Sequence, residues 1–502
     1  MKRGAFMRCL ATLLLAPWLV AAAPPAPQPP RPAGLTSGGT GGARWLDAVV
    51  PGRVLSAALP TGADGRARIA LLVAPDGPTG APRSLFLFDP QGDGALREAI
   101  RGLPAAADTL DVVDLDGDGS QELLLGEPGK LHSLGPVERL ALSPRPLLSD
   151  PALDPAVSQP ARWPPVGRRD GGQLEVVDVG HVRVYTRDGA GALALAAEHE
   201  LPVRARRDAA GLLLSTPRVT VLPRPGGPSL YVAGPEAHGK TRLRTVLIDP
   251  AAPESSRRIE AWAQLPGPEE VIASWYVLLD GRPFLVVTTA GSEKVGLFEK
   301  QRLRVFPLAA DRSRAGRRPV LAFETESRRW NAVAPAVLDI DRDGREDLVV
   351  VQPEGLAGKT LVAQAWLGRG DGGFQPGGRR TALDIEAGAW SYGRDLTGDG
   401  IADLVAMSED RLLTFAGMTD PKGKNVLERK PWKTVTFHPA ASGQTVREVS
   451  IGTGGTQIEG GDVVAPGTPY LIDLEGDGRA EVIFLTPDER GHGSVQVVRL
   501  GG

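Results

Sequence analysis

Four stretches of this sequence place carboxylates at alternate positions just ahead of a run of strand-forming residues. In LDIDRDGREDLVVV (338–351), Asp339, Asp341 and Asp343 alternate with other residues, Gly344 follows, and Asp347 closes the set. The same spacing recurs as Asp114, Asp116, Asp118 and Glu122, as Asp395, Thr397, Asp399 and Asp403, and as Asp473, Glu475, Asp477 and Glu481. Acids this close repel one another unless a cation sits among them. A hard cation such as Ca²⁺ takes about six to eight oxygens, and a tight turn with alternating side chains aims three at one point. The glycine permits the turn. The residue two after the third acid (Ser120, Arg345, Ile401 or Arg479) is the expected backbone-carbonyl ligand, and the last acid closes the set. About four calcium ions with a structural role are expected, and no other cofactor.

Two alternatives fail on spacing and number. An EF-hand needs a bidentate Glu at the twelfth loop position and a helix on each side. That position is Leu125, Val350, Ala406 or Phe484, each inside a strand-like run. A plain Asp-Gly turn explains a single pair, but not four ligand-type residues at fixed spacing. Weaker copies are different in kind. The one at 60–68 keeps Asp64 but has Arg68 at the closing position, where a guanidinium can pair with Asp64 in place of an ion. Those near 170, 225 and 280 hold too few carboxylates for calcium.

The elements that position these loops are short strands. The turns fall near Asp64, Asp118, Gly171, Gly226, Gly281, Asp343, Asp399 and Asp477, a period of about 55 residues. The last interval is longer, and an insertion at about 417–465 accounts for it. Each copy carries a strand before the loop, as in VAPAVL (333–338), one after it, and others such as SLFLFD (84–89) and LVAQAWLG (361–368). Helical periodicity is absent after residue 45. Three or four strands joined by tight turns and repeated in this way predict an all-β chain. It would be a single β-propeller with blades of about four antiparallel strands, eight-bladed, with seven the alternative if a terminal copy is partial.

The pattern D-x-D-x-D-G-x-x-D-L followed by a strand, with LGRGDGGF (367–374) closing one unit, resembles the FG-GAP/VCBS repeat. That repeat is known from integrin α-chain N-terminal propellers and from many secreted bacterial proteins. The resemblance covers residues 45–500 in outline, strongly in four copies. It implies a propeller with calcium-binding inter-strand loops, the fold the residues already suggest.

The rest of the chain bounds the setting. Residues 1–23 read as a secretory signal peptide, with Lys2, Arg3 and Arg8 ahead of an apolar run ending in small residues. Residues 24–43 form a Pro/Gly-rich tether, leaving 44–502 for the propeller. The expected destination is the periplasm or the cell exterior, and the Arg-, Ala- and Gly-rich composition suits a high-GC bacterium. Cys9, in the signal segment, is the sole cysteine, so the mature chain has neither disulfides nor thiol ligands. Formal net charge is −3, falling to about −6 once the three signal-peptide cations are removed. This speaks against nucleic acid as a partner. No membrane span is expected after cleavage, and a monomer is.

No nucleophile elbow, metalloprotease motif or clustered histidines appear, so no catalytic residue is assigned. Arg369-Gly370-Asp371 reads as an adhesion tripeptide but sits where the repeat's ordinary turn belongs. Trp163, Trp275, Trp330 and Trp390 each precede a loop, either as wedges between blades or as rings lining a channel that stack on sugar. The expected function is a protein- or glycan-binding scaffold module. The alternative is a calcium-dependent, lyase-like enzyme on acidic polysaccharide.

Overall fold

Valine and leucine dominate the strand after each acidic loop, and in the computed structural model these are the most deeply buried parts of the chain. IALLVA (69–74), ELLLGE (122–127) and DLVAMS (403–408) are buried at every position, and DLVVVQPE (347–354) at all but the last. A strand covered on both faces needs apolar residues at successive rather than alternate positions. Strands further out, such as Leu96–Leu103, are mostly exposed.

The structure describes residues 43–76, 80–92, 94–107, 109–115, 118, 120–151, 173–178, 181–187, 193–200, 206–207, 213–215, 219–224, 227–238, 241–250, 252–253, 257–267, 269–295, 298–308, 318–327, 335–354, 360–386, 389–408, 411–418, 423–436, 450–452, 469–487 and 492–500. The signal segment, the tether up to residue 42, Asp116, Trp163, Trp330 and the turns at Gly171 and Gly226 lie outside them. All described elements belong to one unit, Ala33–Gly502. The only helical turn among the described residues is the three-residue 3-10 turn Val137–Arg139.

The strands follow one another in antiparallel sets. First come β1 (Ala43–Ala58), β2 (Ile69–Ala74), β3 (Arg83–Phe88) and β4 (Leu96–Leu103). A four-stranded sheet follows, of β5 (Thr109–Val113), β6 (Glu122–Glu127), β7 (Lys130–Pro136) and β8 (Leu148–Ser149). Next is a three-stranded sheet of β9 (Gln173–Asp178), β10 (His181–Arg187) and β11 (Leu193–Glu200), then the short pair β12 (Arg206–Arg207) and β13 (Leu213–Ser215).

Four-stranded sheets then repeat. They are β14 (Val219–Arg224), β15 (Gly227–His238), β16 (Arg242–Ile248) and β17 (Arg258–Gln264); then β18 (Glu270–Leu279), β19 (Arg282–Val295), β20 (Phe298–Pro307) and β21 (Leu321–Ser327). After them come β22 (Pro335–Leu338), β23 (Asp347–Glu354), β24 (Thr360–Trp366) and β25 (Arg379–Leu383). The next set is β26 (Ala389–Arg394), β27 (Asp403–Ser408), β28 (Arg411–Phe415) and β29 (Lys433–Thr436). β29 lies within the span read as an insertion and supplies that sheet's outer strand. β30 (Ser450–Gly452), β31 (Tyr470–Ile472), β32 (Glu481–Pro487) and β33 (His492–Leu500) end the series.

β1 serves two sets at once. Its first half pairs with β33, from Ala43 opposite Leu500 to Val49 opposite Ser494. Its second half pairs with β2, from Arg53 opposite Ala74 to Ala58 opposite Ala70. β30 adds in parallel against the same second half. Between the halves lies Gly52, with φ of 141°, where a Cβ would come 2.5 Å from the Ala74 carbonyl oxygen. A side chain there would clash with backbone.

Neighbouring residues on one strand pack on opposite neighbours, as a period of two requires. Leu348 and Val350 join Phe284 and Val286 of the preceding sheet, while Val349 and Val351 join Leu404 and Ala406 of the following one. Val405 and Met407 continue to Val482 and Phe484, and Ile483 reaches Ile69 and Leu71. The series runs on through Ala70 with Leu123, Leu124 with Leu174, Val182 with Val246, and Val232 with Leu285. The last sheet thus packs on the first. Trp275 and Trp390 are half-buried in two of these interfaces, as wedges between sheets.

Candidate metal centres

The acidic loops connect the first and second strands of their sheets, and all share a backbone plan. The apolar residue after the first acid plugs into the core: Ile340, Leu396 and Leu474 are all buried. Its N–H donates to the closing acid, from Leu115 to Glu122 at 2.6 Å, Ile340 to Asp347 at 3.1 Å, Leu396 to Asp403 at 2.8 Å and Leu474 to Glu481 at 2.8 Å. The first acid gathers the turn. Asp339 accepts from the N–H groups of Asp343 and Gly344, Asp395 from Gly398 and Gly400, and Asp473 from Gly476, Asp477 and Gly478. The third acid accepts the N–H of the expected carbonyl ligand: Ser120 to Asp118, Arg345 to Asp343, Ile401 to Asp399 and Arg479 to Asp477, at 2.7–2.9 Å.

The closing acids also tie the loop to the far side of their sheet. Asp347 accepts the Gly368 N–H at 2.7 Å, and Asp403 that of Gly417 at 2.8 Å. Burial, with the charges of Asp341 and Asp343 adding to it, pushes the Asp347 carboxyl up to about 6. Burial likewise raises Asp403, and it pushes Glu481 up to about 7, with Glu475 and Asp473 adding. A nearby cation would reverse these shifts by favouring the ionised forms.

Loop 339–347 fits a cation best. Oxygens of Asp339, Asp341 and Asp347 lie within 4.8 Å of one another, the only such group among the described residues. Asp341 Oδ2 accepts from Arg379 Nη2 at 3.1 Å, with the two side chains 9% and 6% exposed. Its Oδ1 is buried without a hydrogen-bond partner. An unpartnered buried oxygen on a carboxylate clustered with two other acids is a poor arrangement for protein alone and a good one for a metal ligand. In the loop at 473–481 the corresponding Glu475 instead turns to Arg499 at 2.7 Å. The loop at 395–403 has Thr397 there, whose hydroxyl donates to Asp395 at 3.3 Å. The first loop contributes Asp114, Asp118, Ser120 and Glu122 to the described residues, with Ser120 Oγ buried and unpartnered.

The worn loop at 60–68 holds its own cation. Arg68, at the closing position, pairs with Asp64 at 2.9 Å, with Asp89 and Glu138 within 3.8 Å. Hydrogen bonding from Arg68 holds the Asp64 carboxyl below the usual range. At Asp280-Gly281 positive φ angles of 50° and 70° mark a tight turn without the acidic set.

Sequence spacing did not reveal how the loops touch. Ala67 N–H reaches the Leu474 carbonyl at 3.0 Å, Gln121 N–H that of Thr61 at 3.2 Å, and Ala480 N–H that of Asp395 at 2.7 Å. Glu346 and Asp280 exchange backbone-to-carboxylate hydrogen bonds, and Arg342 donates to the Asp399 carbonyl. Each contact joins one repeat's loop to the loop of a neighbouring repeat. The Arg369-Gly370-Asp371 turn is closed by its own bonds, Arg369 to Asp371 at 3.1 Å and Gly373 N–H to Asp371 at 2.8 Å.

Antiparallel four-stranded sheets packed face to face in a series that returns to its start are the architecture of a β-propeller module. Residues 339–406 match the FG-GAP-like repeat, so the module carries at least one repeat of that type. Among solved structures, the chain is similar to the WD40 domain of SCAP from fission yeast, with 11% identity over 91% of this chain and 95% of that one, at a TM-score of 0.44. It is also similar to the Dos1 propeller (10% identity, 91% and 94% covered, TM-score 0.40). BBS1N, solved in complex with ARL6DN, matches at 14% identity over 78% and 92% of the two chains, with a TM-score of 0.36. No curated protein sequence matches the chain. Among the described residues no helix is long and apolar enough to cross a membrane.

Proposed function

We propose that this chain is an exported eight-bladed β-propeller, stiffened by calcium in its four acidic loops, that serves as a monomeric binding or scaffold module for a protein or glycan. The observation that carries the metal reading is the cluster of Asp339, Asp341 and Asp347, in which Asp341 also keeps a buried, unpartnered Oδ1. The count of eight is supported by the succession of apolar clusters, each between consecutive sheets, with β1 split between the last set and the first. Export is supported by the signal-like residues 1–23.

Asp339, Asp341, Asp343 and Asp347, with the Arg345 carbonyl, would hold one ion; calcium there supplies a charge that neutralises the acids and pins the turn. The corresponding ligands in the other loops are Asp114, Asp116, Asp118, Glu122 and the Ser120 carbonyl; Asp395, Thr397, Asp399, Asp403 and the Ile401 carbonyl; and Asp473, Glu475, Asp477, Glu481 and the Arg479 carbonyl. The acids are engaged by their own loop's backbone, which suits an ion that holds a turn rather than one that opens a position to substrate.

Melting with and without EGTA, alongside elemental analysis, tests the metal. About four calcium ions per chain and a sharply lower melting temperature in EGTA are expected, since an ion bound only by the folded state stabilises it by about 2.7 kcal/mol at a hundredfold excess over its Kd. An unchanged melting curve with no bound calcium refutes it. Turnover of an acidic polysaccharide would replace the binding reading with an enzymatic one.

A further inference from the structure

A second feature, away from the acidic loops, has the chemistry of a ligand site. After β28 the chain returns antiparallel to it: Glu428 N–H bonds the Ala416 carbonyl and Trp432 N–H the Thr414 carbonyl, both at 2.8 Å. Arg429, Lys430 and Pro431 lie between these two bonds, with only Phe415 between the matching acceptors on the other side. This segment is anchored on both sides. Val426 and Leu427 are buried, and their N–H groups both donate to Thr381 Oγ1, at 2.8 and 3.1 Å. The Thr414 hydroxyl donates to the Lys433 carbonyl at 3.2 Å.

This segment carries cations close in sequence to an exposed ring. Trp432 is 37% exposed, one of few large apolar side chains so placed among the described residues. Lys433 Nζ lies 5.5 Å from its ring centroid. Arg429 and Lys430 are exposed, and among the described residues no carboxylate pairs with either. In a chain with net charge −3, this is a local concentration of positive charge.

We propose that Arg429, Lys430, Trp432 and Lys433 form a binding site for an acidic polysaccharide, with the indole face stacking on a sugar ring and the cations meeting its carboxylates or sulfates. Indole offers a broad apolar face, and the planar guanidinium matches such oxyanions with paired hydrogen bonds. A nucleic-acid strand would call for a longer basic track than this segment offers. The proposal deepens the binding-module reading and rests on its glycan branch.

Calorimetric titration of the full chain at fixed free calcium tests it, with an oligogalacturonate, a sulfated heparin-type oligosaccharide, a neutral cello-oligosaccharide, a poly-glutamate peptide and an oligothymidylate as probes. The expected result is binding of at least one acidic oligosaccharide, weakened by salt. That binding should be about tenfold weaker in Trp432→Ala and in the Arg429→Ser/Lys430→Ser double variant, with melting temperatures unchanged. The double variant changes only exposed side chains, so it reads the site even if Trp432→Ala unfolds. Equal binding of the neutral sugar, tighter binding of peptide or oligonucleotide, or unaltered affinity in the double variant overturns the assignment. Failure of every oligosaccharide to bind overturns it too, while leaving the calcium-stiffened protein-binding module standing.

Discussion

Loops 60–68 and 339–347 occupy the same place in their repeats, yet they carry opposite charge at the closing position. In the first, Arg68 stands at the closing position and brings a guanidinium to Asp64, Asp89 and Glu138. In the second, Asp347 stands at that position and adds a fourth carboxylate to an already acidic turn, with one Asp341 oxygen left unpartnered. The turn needs a positive centre in either case. One loop carries that centre within its own nine residues; the other receives a guanidinium from Arg379, outside the loop, and on the proposed reading an ion as well. If the proposed ions are bound, the loop with a built-in cation should be indifferent to calcium and the loop of acids should depend on it.

The largest effect expected from a single residue is at Asp347. Replacing it with alanine removes the partner of the Ile340 and Gly368 N–H groups and costs about 3 kcal/mol in calcium. In EGTA the loss should be smaller, because the wild-type loop is then burdened by its own buried charge. Denaturant titration in both media reads the difference, and equal losses would mean that Asp347 acts through backbone alone. Arg68→Ala should cost about 1 kcal/mol, the scale of a partly exposed ion pair. That cost should be the same with and without calcium; dependence on calcium would erase the contrast between the loops.

A further effect is one of pH. Burial raises Glu481 to about 7 in the folded state, above its ordinary value. Without metal the folded protein therefore binds more protons than the unfolded one, and stability falls as pH rises from the ordinary carboxylate range to about 7. Glu481→Gln should abolish that fall in EGTA, so its advantage appears near neutral pH and vanishes in acid. In calcium the sign should reverse, since the ion requires the ionised acid. A pH-independent difference in melting temperature would remove Glu481 from the account.

The acidic loops were legible because their signal is local: nine residues contain the turn, its glycine and the acids. The Arg68–Asp64 pair was readable for the same reason, its partners lying four positions apart. Arg379 was not, since it reaches Asp341 only through the register of β25 on β24. Nor was the split role of β1. Its residues look like an ordinary strand, and the partner of its first half lies at the opposite end of the chain. The tryptophans could be read two ways from sequence. Packing decided Trp275 and Trp390 in favour of wedges, because each sits among residues of two neighbouring sheets.

The divided strand β1 also limits how such an array can change in length. A whole repeat gained or lost in the interior leaves both ladder pairings of β1 in place, because its two antiparallel partners, β33 and β2, belong to the last and first sets. A repeat trimmed from either end strips one half of β1 of its partner and exposes an unpaired edge. Closure of the series therefore depends on both ends of the chain at once, and a change at either end is felt at the other through a single strand.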